Sequence, residues 1–155
     1  MAKKKYYLAY GSNLHIEQMA YRCPDAEIVG TAEITGYELL FKGSKTGSYL
    51  TIEQKPDGKV PVAVWEVSAY DEKRLDSYEG FPAFYYKTEM TVTVKPLGGG
   101  RKRKVTAFVY IMHEDRPLGI PSPGYIQTCL TGYHAFGFDD KFIWNAIDRS
   151  KEGAK

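Results

Sequence analysis

Long apolar runs are missing from this sequence, and cysteine is scarce. No hydrophobic stretch approaches the ~18 consecutive apolar residues that a membrane-spanning helix needs. The basic start, Met1–Lys5, precedes only about five apolar residues, fewer than the ~7–15 of a signal peptide. Two cysteines, Cys23 and Cys129, are too few for a disulfide-stapled secreted domain. These absences predict reduced thiols, a cytoplasmic location and no membrane partner.

An excess of one charge is also absent, because 21 Lys and Arg residues stand against 19 Asp and Glu residues, a net charge of +2. This balance argues against nucleic acid as a partner. The one dense basic run, Arg101–Lys104, follows Gly98–Gly100 between two strand-like segments. That composition predicts a solvated hairpin tip, and a phosphate-binding patch is the alternative that the sequence leaves open.

Motifs for metals, nucleotides and activated nucleophiles are missing as well. His15, His113 and His134 lack the spacing of metal ligands. No Gly-x-Ser-x-Gly elbow and no glycine-rich nucleotide motif occurs. Neither cysteine has a base in view, and both are expected to pack as small apolar residues. The sequence therefore predicts chemistry with no cofactor, whether metal or organic.

Aromatic residues, by contrast, are plentiful: they make up 14% of the 155 residues, and 13 of them are Tyr. A tyrosine can line a polar pocket, since it offers packing area and a hydroxyl together, but strands favour it too. The length suits one domain with a proper core, and no linker or repeat interrupts the chain. We therefore expect residues 1–155 to form a single domain.

The hydrophobic pattern predicts a sheet built mainly from hairpins. The predicted strands are Tyr6–Tyr10, Glu27–Lys42 (one long bent strand or two short ones), Tyr49–Gln54, Val60–Val67, Tyr85–Lys95 and Val105–Met112. A turn at Pro56–Lys59 is expected to join the third strand to the fourth as a hairpin.

Helices are predicted between and after these strands, over Leu14–Arg22, Tyr70–Tyr78, Gly124–Ala135 and Asp139–Arg149. In the second helix, Tyr70, Leu75 and Tyr78 are expected to share the inner face, with Asp71 in water. In the last helix, the expected inner residues are Phe142, Ile143, Ala146 and Ile147. The order of elements predicts the α+β class: a small mixed, mostly antiparallel β-barrel-like sheet with peripheral helices.

The first candidate site is the turn Tyr10-Gly11-Ser12-Asn13-Leu14, between a strand and a helix. A glycine there lets the backbone approach a ligand closely. Free N–H groups at the start of the helix could then bind an anion or an oxyanion. Many strand-to-helix turns carry Gly and Ser simply because they fit, so a purely structural turn is the alternative.

The second candidate is Glu79, at the end of the second predicted helix. The carboxyl end of a helix disfavours a negative charge, and apolar neighbours such as Phe81 and Pro82 would favour the neutral acid. A glutamate with a raised pKa is a suitable proton shuttle. A surface glutamate is the alternative, and Asp76 is the rival carboxylate, expected to be more solvated. The third candidate is the segment Pro121–Tyr125.

Four motifs in this order, Tyr10–Leu14, Arg22-Cys23-Pro24, Leu75-Asp76-x-x-Glu79-Gly80 and Pro121-Ser122-Pro123-x-Tyr125, resemble the γ-glutamylcyclotransferase family, related to the AIG2-like domains. The resemblance runs from about Tyr6 to Gly137. It implies a mixed-sheet barrel with helices around it. It also implies release of 5-oxoproline from a γ-glutamyl compound, through attack of the substrate's α-amine on its own γ-carbonyl.

The resemblance assigns roles to particular residues. Glu79 matches the family's catalytic glutamate, Tyr10, Gly11, Ser12, Asn13 and Leu14 match its pocket loop, and Tyr125 matches its pocket tyrosine. The implied partner is a small γ-glutamyl substrate, and a homodimer is kept open beside a monomer.

The sequence leaves the leaving group open. Phe81 and Phe84 follow Glu79 and could narrow the pocket, cover it or belong to the core. The loop type favours γ-glutamyl amino acids over γ-glutamylamines or glutathione, which remain alternatives together with a γ-glutamyl natural product. From other classes, the alternatives are a non-catalytic binding module on the same fold and an RNA or phosphate binder that uses Arg101–Lys104.

Overall fold

The computed structural model describes residues 4–44 and 47–153. The first three residues of the basic start therefore lie outside the described part, and the single domain over residues 1–155 stays a prediction. The elements in chain order are β1 (Lys5–Ala9), a 3-10 turn (Ser12–Leu14), α1 (Ile16–Arg22), β2 (Glu27–Ser44), β3 (Gly47–Val67), α2 (Ala69–Glu79), β4 (Tyr85–Pro96), β5 (Arg103–Met112), α3 (Pro123–Phe136) and α4 (Lys141–Gly153).

The five strands close into a barrel in the order β1-β3-β2-β4-β5. Neighbouring strands are antiparallel except at the closure, where β1 runs parallel to β5 and Tyr7 pairs with Phe108. Closure removes the free edges of the sheet, and the inward side chains of every strand form one core. The predicted α+β class with a small, mostly antiparallel barrel is confirmed.

The prediction of a hairpin turn at Pro56–Lys59 is wrong. The residues lie inside one continuous strand, β3, whose two halves both pair with β2 rather than with each other. Tyr37 pairs with Gln54 and Thr35 pairs with Lys59, so residues 55–58 stand opposite a single residue of β2. Turn-forming residues here build a bulge, with Asp57 at a positive φ of 66°.

The other strands agree with the prediction. The single long strand is the correct alternative for β2, and its register shifts fall at Ile28/Gly30 and Thr35/Tyr37, beside its glycines. β4 and β5 form the second predicted hairpin. Arg101 and Lys102 lie at its exposed tip, whereas Arg103 and Lys104 already belong to β5.

Helix α2 has the expected bounds but buries different side chains. Only Leu75 of its three predicted inner residues is buried, while Tyr70 is 56% exposed and Tyr78 is 46% exposed. Asp71 is fully buried, because its carboxylate accepts hydrogen bonds from the N–H groups of Ser68 and Asp25. The Ser68 hydroxyl accepts the Asp71 N–H in return, which forms a capping box.

The remaining helices depart from the prediction mainly at their ends. α1 begins at Ile16, two residues later than expected, because Leu14 belongs to the 3-10 turn and the His15 ring caps the helix by accepting the Gln18 N–H. α4 buries Ile143, Ala146 and Ile147 as predicted, while Phe142 is partly buried. No helix within residues 4–44 and 47–153 is long and apolar enough to cross a membrane.

Candidate active site

A cavity of about 430 Å³ opens between the turn after β1, the first part of β3, the end of α2 and the start of α3. Its lining is rich in tyrosine and consists of Tyr7, Leu8, Tyr10, Gly11, Ser12, Asn13, Tyr49, Leu50, Ser77, Tyr78, Glu79, Gly80, Phe84, Tyr85, Tyr110 and Tyr125. Every predicted site residue lies in this wall except one. Leu14 is fully buried in the core and does not line the cavity, because the 3-10 turn directs it towards α3.

The turn after β1 lines the cavity with Gly11, Ser12 and Asn13. Two N–H groups form hydrogen bonds within the turn itself. The Leu14 N–H donates to the Gly11 carbonyl and the His15 N–H donates to the Ser12 carbonyl, each at 3.0 Å. The N–H groups of Gly11, Ser12 and Asn13 have no acceptor among the described residues. A Cβ on Gly11 would lie 3.3 Å from the Tyr125 hydroxyl. Because glycine has no Cβ, the space between the turn and Tyr125 stays open to a ligand.

Glu79 is the last residue of α2, and Gly80 ends the helix in the left-handed conformation at a φ of 64°. Burial raises the pKa of Glu79 to about 7, and the positive charge of Arg22 opposes part of that rise. The raised pKa agrees with the sequence prediction. Within the described part of the chain, the carboxylate has one hydrogen-bond donor, Asn13 Nδ2, at a distance of 3.5 Å from Oε1. A carboxylate so weakly bonded is free to accept a proton.

The rival carboxylate, Asp76, was expected to be solvated and is instead engaged by two side chains. It accepts the Tyr110 hydroxyl at 2.6 Å and forms an ion pair with Lys87 at 3.0 Å. Lys87 also pairs with Glu72, which completes a network on the outside of α2. Asp76 does not line the cavity, so the structure leaves Glu79 as the carboxylate of the described wall.

Tyrosine hydroxyls supply the other polar groups of the wall. The Tyr125 oxygen accepts the Leu50 N–H at 3.1 Å, while Tyr85 donates to the Leu50 carbonyl at 2.8 Å. Tyr10 donates to the Tyr110 carbonyl at 2.6 Å. Burial raises the pKa of all four of these tyrosines well above the ordinary value, which keeps them neutral.

Sequence reasoning missed most of these lining residues, among them Tyr7, Tyr49, Tyr78, Tyr85 and Tyr110. The high tyrosine count pointed to a polar pocket, but period-2 alternation cannot tell a side chain that faces a cavity from one that faces the core.

The two phenylalanines after Glu79 have different positions. Phe84 lines the cavity, and its ring lies edge-on to Tyr49 with the ring centres 6.3 Å apart. Phe81 is absent from the wall, and the Lys87 ammonium lies 4.5 Å from its ring centre. Of the pair, only Phe84 can limit the size of a bound group.

The cysteines and histidines do not line this cavity. Cys23 and Cys129 are buried free thiols, and burial raises the pKa of each to about 12, so neither is a ready nucleophile. His15 caps α1, and His113 contacts the Pro82 carbonyl. Residues 4–44 and 47–153 hold no group of three or more His, Cys, Asp or Glu side chains that could bind a metal ion.

Comparison with known proteins points to one family. Residues 7–127 match the family model described as gamma-glutamyl cyclotransferase, AIG2-like. The chain is 32% identical to the gamma-glutamylcyclotransferase of Homo sapiens over 135 residues and 30% identical to that of Bos taurus over 134 residues. Each match covers 81% of this chain and 68% of the relative.

A solved structure of a gamma-glutamyl cyclotransferase superimposes with a TM-score of 0.75 at 26% identity, covering 96% of this chain and 87% of that one. Family model, relatives and fold all agree. The chain therefore belongs to the gamma-glutamyl cyclotransferase, AIG2-like family and is an enzyme of the γ-glutamylcyclotransferase type.

Proposed function

We propose that this enzyme releases 5-oxoproline and a free amine or amino acid from a γ-glutamyl compound, with Glu79 as its catalytic acid and base. The observation that carries the proposal is the Glu79 carboxyl itself. It lies in the wall of a tyrosine-rich cavity, has a pKa of about 7, and has one weak hydrogen bond from the described residues. A group with that pKa can both accept and return a proton near neutral pH.

The reaction begins with the substrate's α-ammonium group, which must lose a proton before its nitrogen can attack. Glu79 accepts that proton. The free amine then attacks the γ-carbonyl carbon and closes a five-membered ring, which leaves a negative charge on the γ-oxygen. As the bond from the γ-carbon to the leaving nitrogen breaks, Glu79 donates its proton to that nitrogen. The ring nitrogen still carries the second proton of the attacking amine. The Glu79 carboxylate takes that proton and passes it to the released amine, which leaves as an ammonium ion, so that the lactam is neutral and the carboxylate is restored.

The turn after β1 offers donors for the negative charges of such a substrate. The unpaired N–H groups of Gly11, Ser12 and Asn13 suit either the α-carboxylate or the developing oxyanion. Loss of one oxyanion donor costs about 3–4 kcal/mol in comparable sites. Tyr10 and Tyr125 would hold the substrate as neutral side chains, and Leu14 is no longer included, since it lies in the core.

The cavity suits an intramolecular reaction. A volume of about 430 Å³ is in the range of small-molecule sites and can enclose a bent γ-glutamyl chain. Holding the amine against the carbonyl replaces an encounter between two molecules and supplies a large part of the rate. Tyr49 and Phe84 belong to the cavity wall and limit the size of a bound group. γ-Glutamyl amino acids, γ-glutamylamines and glutathione all remain candidate substrates.

The first test compares the wild type with Glu79→Gln on a panel of γ-glutamyl dipeptides, γ-glutamylamines and glutathione, measuring 5-oxoproline. We expect the wild type to cleave at least one compound and the variant to lose about 10²–10⁴ in kcat/KM, since glutamine cannot carry the proton. The wild-type kcat/KM should also fall as the pH drops below about 7, because Glu79 is then protonated.

The matched control is Asp76→Asn, which removes a carboxylate on the same helix outside the cavity. We expect it to retain most of the turnover. Near-wild-type turnover in Glu79→Gln would falsify the mechanism. No release from any compound would favour a binding module, which a ligand-induced rise in melting temperature with the same panel would reveal.

The cytoplasmic location also remains a proposal. Two buried free thiols support it, because such thiols persist in a reducing compartment. Localising a tagged copy of the protein in cells would test it directly.

A further inference from the structure

The motif Arg22-Cys23-Pro24 has no role in the mechanism above, yet its arginine reaches the candidate site. Arg22 ends α1, and its Nη1 donates a hydrogen bond to Asn13 Oδ1 in the cavity wall. The same guanidinium lies over the Tyr78 ring, and its central carbon, Cζ, is 3.4 Å from the ring centre. One cation therefore contacts two lining residues from outside the cavity.

The contact with Asn13 decides which way its amide points. An arginine can only donate hydrogen bonds, so the amide oxygen must face Arg22 and the amide nitrogen must face the other way. That nitrogen lies 2.8 Å from the Tyr7 hydroxyl and 3.5 Å from Glu79 Oε1. With the amide reversed, an oxygen would face the Glu79 carboxylate and repel it.

The contact with Tyr78 acts on a second part of the wall. The Tyr78 ring is stacked under the guanidinium, and its hydroxyl lies 3.0 Å from Ser12 Oγ. Stacking of a cation on an aromatic ring restricts the ring and adds to its stability in that place. Arg22 thus links α1 to α2 and to the 3-10 turn, and the last two of these segments line the cavity.

We propose that Arg22 is a positioning residue of this enzyme, which orients the Asn13 amide towards the Glu79 carboxylate and holds Tyr78 in the cavity wall. This inference rests on the proposed function. It assigns Arg22 no contact with the substrate. Its effect reaches the reacting atoms only through Asn13 and Tyr78.

The charges around Glu79 make the proposal measurable. In the described part of the chain, Arg22 is the charged group that acts on the Glu79 carboxyl, and it lowers the pKa of that group. The other titratable groups that interact with Glu79 are neutral tyrosines from β1, the turn after it, β4, β5 and α3: Tyr7, Tyr10, Tyr85, Tyr110 and Tyr125. Removing Arg22 should therefore raise the pKa of Glu79, with no second ion to mask the change.

A groove of about 520 Å³ on the outer side of Tyr78 supplies the control. Arg22 and Lys73 both line it, but Lys73 makes no hydrogen bond or cation–π contact with Asn13 or Tyr78 in the described structure. Lys73→Ala removes a positive charge from the same surface without touching the proposed link.

The experiment measures kcat/KM for 5-oxoproline release against pH in the wild type, Arg22→Ala, Arg22→Lys and Lys73→Ala. We expect Arg22→Ala to lose about 10- to 100-fold in kcat/KM, which is the effect of losing one hydrogen bond to a charged group. The acid limb of its pH profile, where kcat/KM falls as Glu79 becomes protonated, should move to higher pH. Arg22→Lys keeps the charge and should restore the acid limb towards its wild-type position. Lys73→Ala should match the wild type in both quantities.

A double-mutant cycle separates the proposed path from a general loss of fold. If Arg22 acts through Asn13, then Arg22→Ala should cost much less in an Asn13→Ala background than in the wild type. Fully additive losses together with an unchanged acid limb would overturn the proposal. Should Arg22→Ala fail to fold, Arg22→Gln keeps most of the side chain and serves in the same cycle.

A readout without turnover keeps the two proposals apart. Carbon-13 NMR of labelled glutamate side chains follows the titration of Glu79 in the wild type and in Arg22→Ala. A higher midpoint in the variant supports the role of Arg22 even if no compound on the panel is cleaved, a result that counts against the proposed function alone. An unchanged midpoint contradicts the role of Arg22, whatever the turnover of the wild type.

Discussion

At the scale of residues, the cavity combines one carboxylate with a ring of phenol groups among its described lining. Five of the phenols keep their protons, because burial raises the pKa values of Tyr7, Tyr10, Tyr85, Tyr110 and Tyr125. Burial also brings the pKa of Glu79 to about 7. One physical cause therefore has two results. It produces neutral donors at the tyrosines and a carboxyl group with a pKa near neutral pH at the glutamate.

Tyr125 offers a test at this scale. Tyr125→Phe removes the oxygen that accepts the Leu50 N–H and leaves that donor unpaired. We expect the free energy of unfolding to fall by about 1–2 kcal/mol and kcat/KM to fall less than in Glu79→Gln. Urea unfolding and the 5-oxoproline assay measure the two effects.

Tyr133→Phe is the matched control for Tyr125→Phe. It removes a hydroxyl from the same helix, outside the cavity lining, with only a long contact of 3.5 Å to the Tyr10 carbonyl. An equal loss of kcat/KM in both variants would show that Tyr125 acts through stability rather than through the substrate.

At the scale of elements, the ends of helices and turns determine where the candidate site lies. α2 begins with a capping box and ends at Gly80, so Glu79 occupies its last turn at the cavity. The 3-10 turn follows directly after β1 and is packed against α3. Capping residues determine where α2 and α3 begin and end. The cavity forms where the turn after β1, the end of α2 and the start of α3 meet.

The contact between α3 and the 3-10 turn gives the next prediction. A Cβ on Gly132 of α3 would lie 2.6 Å from the Leu14 backbone carbon, so Gly132→Ala must displace the turn. Alanine favours helix by about 1 kcal/mol, but overpacking costs more, and we expect a net loss of about 1–2 kcal/mol in stability. Because the turn carries Ser12 and Asn13, kcat/KM should fall as well.

Gly124→Ala is the matched control for Gly132→Ala. Gly124 lies in the first turn of the same helix, and a Cβ there would meet nothing within 4 Å. Its melting temperature should stay the same or rise slightly. If Gly132→Ala proves as stable as Gly124→Ala, the close packing of α3 on the turn is not what holds the site.

At the scale of the whole molecule, the packing around the cavity partly buries Glu79, and the fold carries a cost for this. Its pKa is about 7 in the folded protein against an ordinary value of 4.5, so the unfolded chain loses that proton first. The contribution of the protonated group to stability is complete below about pH 4.5 and is lost as the pH rises through about 7. Ionised Glu79 therefore destabilises the fold by up to about 3 kcal/mol above that range.

Glu79→Gln should remove this cost. We expect the variant and the wild type to be about equally stable near pH 4, and the variant to be more stable by up to about 3 kcal/mol near pH 8. Urea unfolding across this pH range measures the difference. A difference that does not change with pH would mean that the pKa of Glu79 is not raised by folding.

Much of the architecture could be predicted from the sequence, because hydrophobic alternation and capping residues act over a few positions. β4, β5, α3 and the ends of α2 follow from such local patterns. The bulge at Pro56–Lys59 could not be predicted in this way. Residues that form a hairpin turn also form a bulge when the segments on both sides pair with another strand, here β2. The burial of Asp71 was missed for a similar reason, because its partner Asp25 is distant in sequence.

The sequence by itself determined the order of the elements and a small barrel-like sheet, through periodicity, capping and turn chemistry. Its resemblance to the family singled out Tyr10–Asn13, Glu79 and Tyr125 as candidate site residues. Only the tertiary structure decided which residues share a cavity. It moved Leu14 into the core, engaged Asp76 with Tyr110 and Lys87, and brought Arg22 to the Asn13 amide. The physical reason is that burial and hydrogen bonding depend on distance in space, and closing the barrel joins segments that the chain keeps far apart.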